Sequence, residues 1–189
     1  MNPQSDKAAA LAQRLFTDEL GALELFTVYL GDRLGLYRTL AADCLMVVCN
    51  TGDDFEHLGL SISPDLDTVL YTLGGVANPE TGWGRAGETW TFMRALEQLG
   101  GETWFRLGDA DLATHVERTR RLAAGESLSA ISDDFCERLG VRARVIPMCD
   151  QPVRTLVHTE DGVLPFQRYF VERRCAPRVR AFEFQGAGE

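Results

Sequence analysis

No run of about 18 apolar residues occurs in the chain, so no membrane-spanning helix is expected. The first residues, Met1-Asn2-Pro3-Gln4-Ser5-Asp6, lack the basic start and apolar core of a secretory leader. Disulfide and zinc frameworks are also missing. The five cysteines (Cys44, Cys49, Cys136, Cys149, Cys175) are odd in number, scattered, and include no Cys-x-x-Cys. They read as reduced thiols, and the expected location is the cytoplasm. The three histidines, His57, His115 and His158, have no metal-type spacing. A Gly-x-x-x-x-Gly-Lys loop, a Gly-x-Gly-x-x-Gly fingerprint and a Gly-x-Ser-x-Gly elbow are absent. Positive charge is scarce: 19 Lys and Arg face 28 Asp and Glu, a net charge of −9 that argues against a nucleic-acid binder. A phosphorylated substrate would need a local device, namely a metal, an arginine cluster or helix N-termini.

What is present suits a globular protein. The 189 residues are 45% apolar and 25% charged, enough for one domain, or one domain with an appendage. Residues 7 to about 30 carry Leu11, Leu15, Leu23, Phe26 and Leu30 near a helical period, and Leu34 to Leu40 form a second helical stretch. This segment, 1–42, is expected to pack or to dimerise. The second segment, 43–189, is expected to be α/β, a Rossmann-like, mostly parallel sheet with flanking helices.

The most informative stretch follows the apolar run Leu45-Met46-Val47-Val48-Cys49, which reads as a buried strand. It empties into Asn50-Thr51-Gly52-Asp53-Asp54, and Pro64-Asp65-Leu66-Asp67-Thr68 comes shortly after. Ligands of open α/β sheets bind beyond the carboxyl ends of strands, so these four carboxylates form a candidate magnesium and substrate site. Turn and helix-cap roles for Asp54 and Asp65 suit the same positions.

Further along, Asp65 to Leu73 and Glu88 to Leu99 read as helices. Trp83, between glycines in a breaker-rich loop, suits either a stacking platform or a lid anchor, and Arg85 either an anion contact or a solvated charge. Thr103 to Leu107 reads as a strand or an extended connector. Asp109 is expected to cap a helix whose buried face is Leu112, Val116, Thr119 and Leu122. Capping, solvation or ligation all suit Asp109, Asp111 and His115. Ser127 to Leu139 is a helix with Ser127 as N-cap and Gly140 beyond its end. Val141 to Pro147 alternates as a strand, Thr155 to Gln167 as a hairpin, and Val179 to Phe184 as a last strand. Arg154, on the loop side of a strand, is a candidate phosphate contact.

Several ordered blocks together resemble the 2-phospho-L-lactate transferase family. They are Val47 to Asp54, Ile62 to Tyr71, Gly82-Trp83-Gly84, Leu107-Gly108-Asp109 with Asp111 to His115, Ile146-Pro147-Met148, Pro152 to Thr155, and Phe166-Gln167 with Phe170-Val171. The resemblance implies a magnesium-dependent transfer in coenzyme F-420 biosynthesis. A phospholactyl or phosphoenolpyruvyl group passes from a guanosine diphosphate-linked donor to the deazaflavin alcohol Fo, releasing GMP. The resemblance also implies deazaflavin and metal contacts on the two acidic blocks, which carries over to Asp53, Asp65 and Asp67 as the expected magnesium ligands. A carboxylate near the acceptor hydroxyl can take its proton, and Asp53 is the expected base. With the residue readings above, the expected substrate contacts are Asp53, Asp54, Trp83, Arg85 and Arg154. Such a family normally opens with a Gly-Gly-Thr-Gly-like phosphate loop where this chain has 1–42, and it continues past Gly186-Ala187. An α/β sheet incomplete at both ends and weak turnover are therefore expected, with a homodimer through residues 7–40. The competing reading is a non-catalytic deazaflavin-binding or dimerisation module.

Overall fold

The computed structural model describes residues 45–187. The expected helices and dimer face at 7–40 lie outside the described residues. Four helices and seven strands follow, and no described helix is long and apolar enough to cross a membrane.

Strand β1 (Met46–Cys49) pairs in parallel with β4 (Arg144–Pro147), from Met46 opposite Arg144 to Cys49 opposite Pro147. Helices α1 (Pro64–Leu73) and α4 (Leu128–Arg138) flank this pair. The main core lies between them and buries Cys49, Leu66, Leu70, Ile131, Phe135 and Val145. The expected α/β class with a parallel sheet and flanking helices is what the chain forms. The other strand pairings among the described residues are antiparallel. Helix α4 begins and ends as its sequence indicates. Ser127 Oγ accepts from Ala130 N at 3.2 Å, and Gly140 takes φ +67° past the last turn.

The stretch between β1 and α1 is more ordered than the acidic loop expected there. Strands β2 (Phe55–His57) and β3 (Leu60–Ile62) form a hairpin closed by Leu58 (φ +55°) and Gly59 (φ +72°). Two left-handed residues match the right-handed twist of the flanking strands. Its apolar side packs Ile62 against Met93 and Leu107 in a second core. Thr103–Leu107 is a connector, with no strand. At the C-terminal end β5 (Arg154–Thr159) pairs with β6 (Gly162–Pro165) on one side and β7 (Val179–Gln185) on the other, both antiparallel. A π-helical turn at Arg168–Glu172 follows β6.

Helices α2 (Thr91–Gln98) and α3 (Asp109–Ala123) exchange caps. Asp109, expected to cap its own helix, instead accepts from Thr91 N and Phe92 N, each at 3.0 Å, at the start of α2. Glu88, expected inside a helix, lies before α2 and accepts from Ala110 N and Asp111 N, each at 2.8 Å, at the start of α3. Free N–H groups at a helix start need such acceptors, and the helix dipole favours a carboxylate there. Gly108 is needed for the close approach, because a Cβ there would sit 2.1 Å from Glu88 Cδ. Glu88→Ala is expected to cost about 1–2 kcal/mol, read as a lower urea midpoint at unchanged slope. Asp109→Ala should shift the midpoint the same way, and an unchanged midpoint in both would refute the exchanged caps.

The face of α3 also departs from expectation. Val116 is 48% exposed, while His115 and Arg118 are each 2% exposed. The buried side carries charge because α1 presents Asp67 to it. Arg118 donates from both Nη1 and Nη2 to the Asp67 carboxylate, and from Nη1 to Ser61 O at 3.3 Å. Leu112 and Leu122 keep their expected inward packing at the two ends.

Candidate functional site

The turn after β1 is held by its backbone, by the Asn50 side chain and by β5. Gly52 N donates to Asn50 Oδ1 at 2.9 Å, Asp54 N to Thr51 O at 3.2 Å, and Thr155 N to Gly52 O at 2.7 Å. This fixes Asp53 and Asp54 at the carboxyl end of β1. Asp65 stands in the first turn of α1, next to Pro64. The two segments meet at Asn50, whose Nδ2 donates to Asp53 Oδ1 and to Asp65 Oδ2, each at 3.1 Å. Asp53 Oδ2 accepts from Gln167 Nε2 at 3.0 Å.

Burial of these acids sets their protonation, with charge crowding added at Asp53. Burial, then the charges of Asp65 and Asp54, push the Asp53 carboxyl up to about 8. Burial pushes Asp54 up to about 7, against the opposing hydrogen bond from Ser63. Asp65 is raised by burial as well. Cys49 is pushed up to about 12 by burial, then by Asp65, so its thiol is inert at neutral pH.

The four expected carboxylates do not act alike. Asp53 and Asp65 converge. Asp54 is 6% exposed and accepts from Ser63 Oγ at 2.8 Å, while its Oδ1 is buried with no partner among the described residues. Asp67 points away into the ion pair with Arg118, with His115 Nδ1 3.6 Å from its Oδ2. His115 Nε2 in turn lies 3.2 Å from Asp111 Oδ2, and Tyr71 OH donates to Asp111 Oδ1 at 2.7 Å.

A cavity of about 230 Å³ opens beside Asp53 and Asp54. Phe55, Trp104 and Phe166 supply aromatic wall, and Arg154, Gln167 and Arg168 supply polar groups. Arg154, expected in the loop before the strand, is the first residue of β5; it lines the cavity, and its Nη1 donates to Val153 O at 2.7 Å. Trp83 and Arg85 are not among the lining residues: Trp83 is 51% exposed, and the Arg85 guanidinium lies 5.4 Å from the Tyr71 ring centroid. The wall tryptophan is Trp104, held under the Arg168 guanidinium at 4.4 Å. Sequence reasoning gave no role to Phe55, Trp104 or Gln167. The available signal was the Phe166-Gln167 block, which carried resemblance without chemistry.

Among the described residues no group of three His, Cys, Asp or Glu side chains is arranged to hold a metal ion. The Asp53–Asp65 pair still suits magnesium. That ion takes one or two carboxylates and fills its shell with water and substrate phosphate. Two buried carboxylates, of which Asp65 raises the proton affinity of Asp53, are also a donor set that a hard cation neutralises.

A profile of the family described as "2-phospho-L-lactate transferase CofD" matches residues 34–188. The chain is 46% identical over 147 residues to a phosphoenolpyruvate transferase of Streptomyces avermitilis, covering 75% of this chain and 46% of that protein. It is 44% identical over 153 residues to a 2-phospho-L-lactate transferase of Methanopyrus kandleri, covering 80% and 49%. The chain spans about half the length of the curated relatives it matches. With most of its length inside one family profile and its acidic turns in the blocks that carry the likeness, the chain belongs to the 2-phospho-L-lactate transferase CofD family.

Proposed function

We propose that the site transfers a phospholactyl or phosphoenolpyruvyl group from a guanosine diphosphate-linked donor to the hydroxyl of the deazaflavin alcohol Fo, in coenzyme F-420 biosynthesis. The observation that carries this reading is the Asp53–Asp65 pair at the end of β1, bridged by Asn50 and opening on an aromatic-walled cavity. The family and the names of its relatives support the reaction class. A flat tricyclic ring suits the wall of Phe55, Trp104 and Phe166. Its side-chain hydroxyl would then reach Asp53.

The acceptor oxygen forms a bond to the phosphorus that carries the lactyl or enolpyruvyl group. The bond from that phosphorus to the oxygen bridging to the α-phosphate breaks, and GMP leaves with the electron pair. Asp53 takes the hydroxyl proton, the role of a carboxylate held beside the acceptor oxygen. Arg154 faces the same cavity and suits a phosphate oxygen of the donor. Asp53 and Asp65 would hold magnesium, which when bound offsets the negative charge growing on the diphosphate. Asp67 acts at one remove, tying α1 to α3 through Arg118.

Purified protein should bind the deazaflavin alcohol in the presence of magnesium and release GMP when given donor. Asp53→Asn is expected to lower kcat by about 10²–10⁴-fold while acceptor affinity moves less than about threefold. Acceptor binding with no GMP release at all would favour a non-catalytic binding module. Equal turnover in Asp53→Asn would remove Asp53 as the base.

A further inference from the structure

The Asp53 carboxylate is held from both sides by side-chain amides, one per oxygen. Asn50 Nδ2 takes Oδ1 at 3.1 Å and is shared with Asp65. Gln167 Nε2 takes Oδ2 at 3.0 Å, is 5% exposed, and comes from 114 residues away. A carboxylate on a short turn can rotate about both of its side-chain bonds, so the turn alone does not set where its lone pairs point. Donors on opposite oxygens do set it, because each prefers a lone-pair direction in the carboxylate plane.

Gln167 is itself braced. The next residue, Arg168, donates from Nη2 to both oxygens of Glu102, at 3.0 and 2.9 Å, and from Nη1 to Glu172 at 3.1 Å. Its guanidinium covers Trp104, and Tyr169 beyond it is 2% exposed. The π-helical turn starts at Arg168, right after Gln167, and such turns are frequent at functional sites. Being neutral, an amide fixes a carboxylate without supplying a counter-charge. Asp53 thereby keeps further lone pairs for the acceptor.

We infer that Gln167 is a positioning residue: by donating to Asp53 Oδ2 it sets the plane of the carboxylate that receives the acceptor's proton. This rests on the proposed role of Asp53. It also makes the acidic turn after β1 depend on the segment that follows the β5–β6 hairpin for its working geometry.

The test is a double-mutant cycle with Gln167→Met, which keeps the length and removes the donor, and Asp53→Asn. Gln167→Met is expected to lower kcat roughly 10- to 100-fold, as a small misplacement of a reacting group does, with KM for the acceptor changed less than about threefold. In the Asp53→Asn background the same change should alter kcat less than about twofold. The side-chain amide ¹H–¹⁵N resonance of Gln167 should shift in Asp53→Asn, a readout that needs no turnover. Gln167→Leu repeats the cycle if the methionine variant does not fold. A full effect of Gln167→Met in the Asp53→Asn background would overturn the inference, as would an unmoved Gln167 resonance. An inactive Asp53→Asn beside a fully active Gln167→Met would overturn it while leaving the proposed function intact. Unchanged turnover in Asp53→Asn would remove the proposed role of Asp53, and the inference with it.

Discussion

Arg118→Met is expected to lower stability by about 3–5 kcal/mol, because it leaves the Asp67 carboxylate buried without its partner. For a chain of this size that is a fall in Tm of roughly 6–20 °C. The pair is enclosed on all sides: Arg118 is 2% exposed and Asp67 is 5% exposed. It also ties three elements together, since Arg118 sits on α3, Asp67 on α1, and Ser61, whose carbonyl oxygen it also reaches, on β3. Burying two charges is costly, so the pair need not beat an apolar replacement. The double variant Arg118→Met/Asp67→Leu should therefore regain most of the loss. A fall in Tm below about 2 °C for Arg118→Met alone would show that water reaches Asp67 and that the pair contributes little.

The second large effect is a loss of stability with rising pH. Asp53 and Asp54 have folded-state values of about 8 and about 7, above the ordinary aspartate value. Between about pH 4 and pH 8 the folded chain therefore holds protons that the unfolded chain has released. Unfolding free energy then falls as pH rises, by up to about 1.4 kcal/mol per pH unit for each retained proton. Asp53 is only half-buried, so solvent screening reduces its share. Below about pH 4 the sign reverses through groups held low, such as Asp109 and Asp111, which lose their partners on protonation. Melting curves should show a maximum in Tm near pH 5 and a decline toward pH 8. Asp53→Asn should raise Tm at pH 8 and leave it nearly unchanged at pH 5. Millimolar magnesium at pH 8 should recover part of the loss, because a ligand of the folded state alone stabilises it. A Tm that rises from pH 5 to pH 8 in the unaltered protein would contradict the raised proton affinity of these buried acids.

Elements that declare themselves through local chemistry were legible in the sequence. Ser127 and Gly140 mark both ends of α4, and alternation marks β5 through β7. Two features were hidden for physical reasons. The β2–β3 hairpin has strands of only three residues, too short for a periodic signal among so many acids. The inner face of α3 is ionic where it meets α1, so an apolar period misplaces it toward Val116. At the candidate site, the sequence put Asp53 and Asp65 within reach of each other because few residues separate them, but it did not distinguish them from Asp54 and Asp67, whose partners are Ser63 and Arg118. Gln167 was invisible as a partner because a contact across 114 residues leaves no local trace. Trp83, the tryptophan that stood out by its glycine neighbours, is exposed, whereas Trp104 lines the cavity.

The pairing of β1 with β4 has a bearing on synthesis. Met46 and Arg144 are neighbours in the sheet yet nearly a hundred residues apart in the chain. At about 5–20 residues per second, β1 leaves the ribosome several seconds before its partner strand exists. Through that interval Leu45-Met46-Val47-Val48 is an apolar segment with open hydrogen-bonding edges, and even in the folded structure Met46 is 50% and Val48 59% exposed. The strand that ends in the acidic turn is therefore a segment of the nascent chain that a chaperone would protect. Slowing translation between α1 and α4 should lower soluble yield more than slowing it after β4.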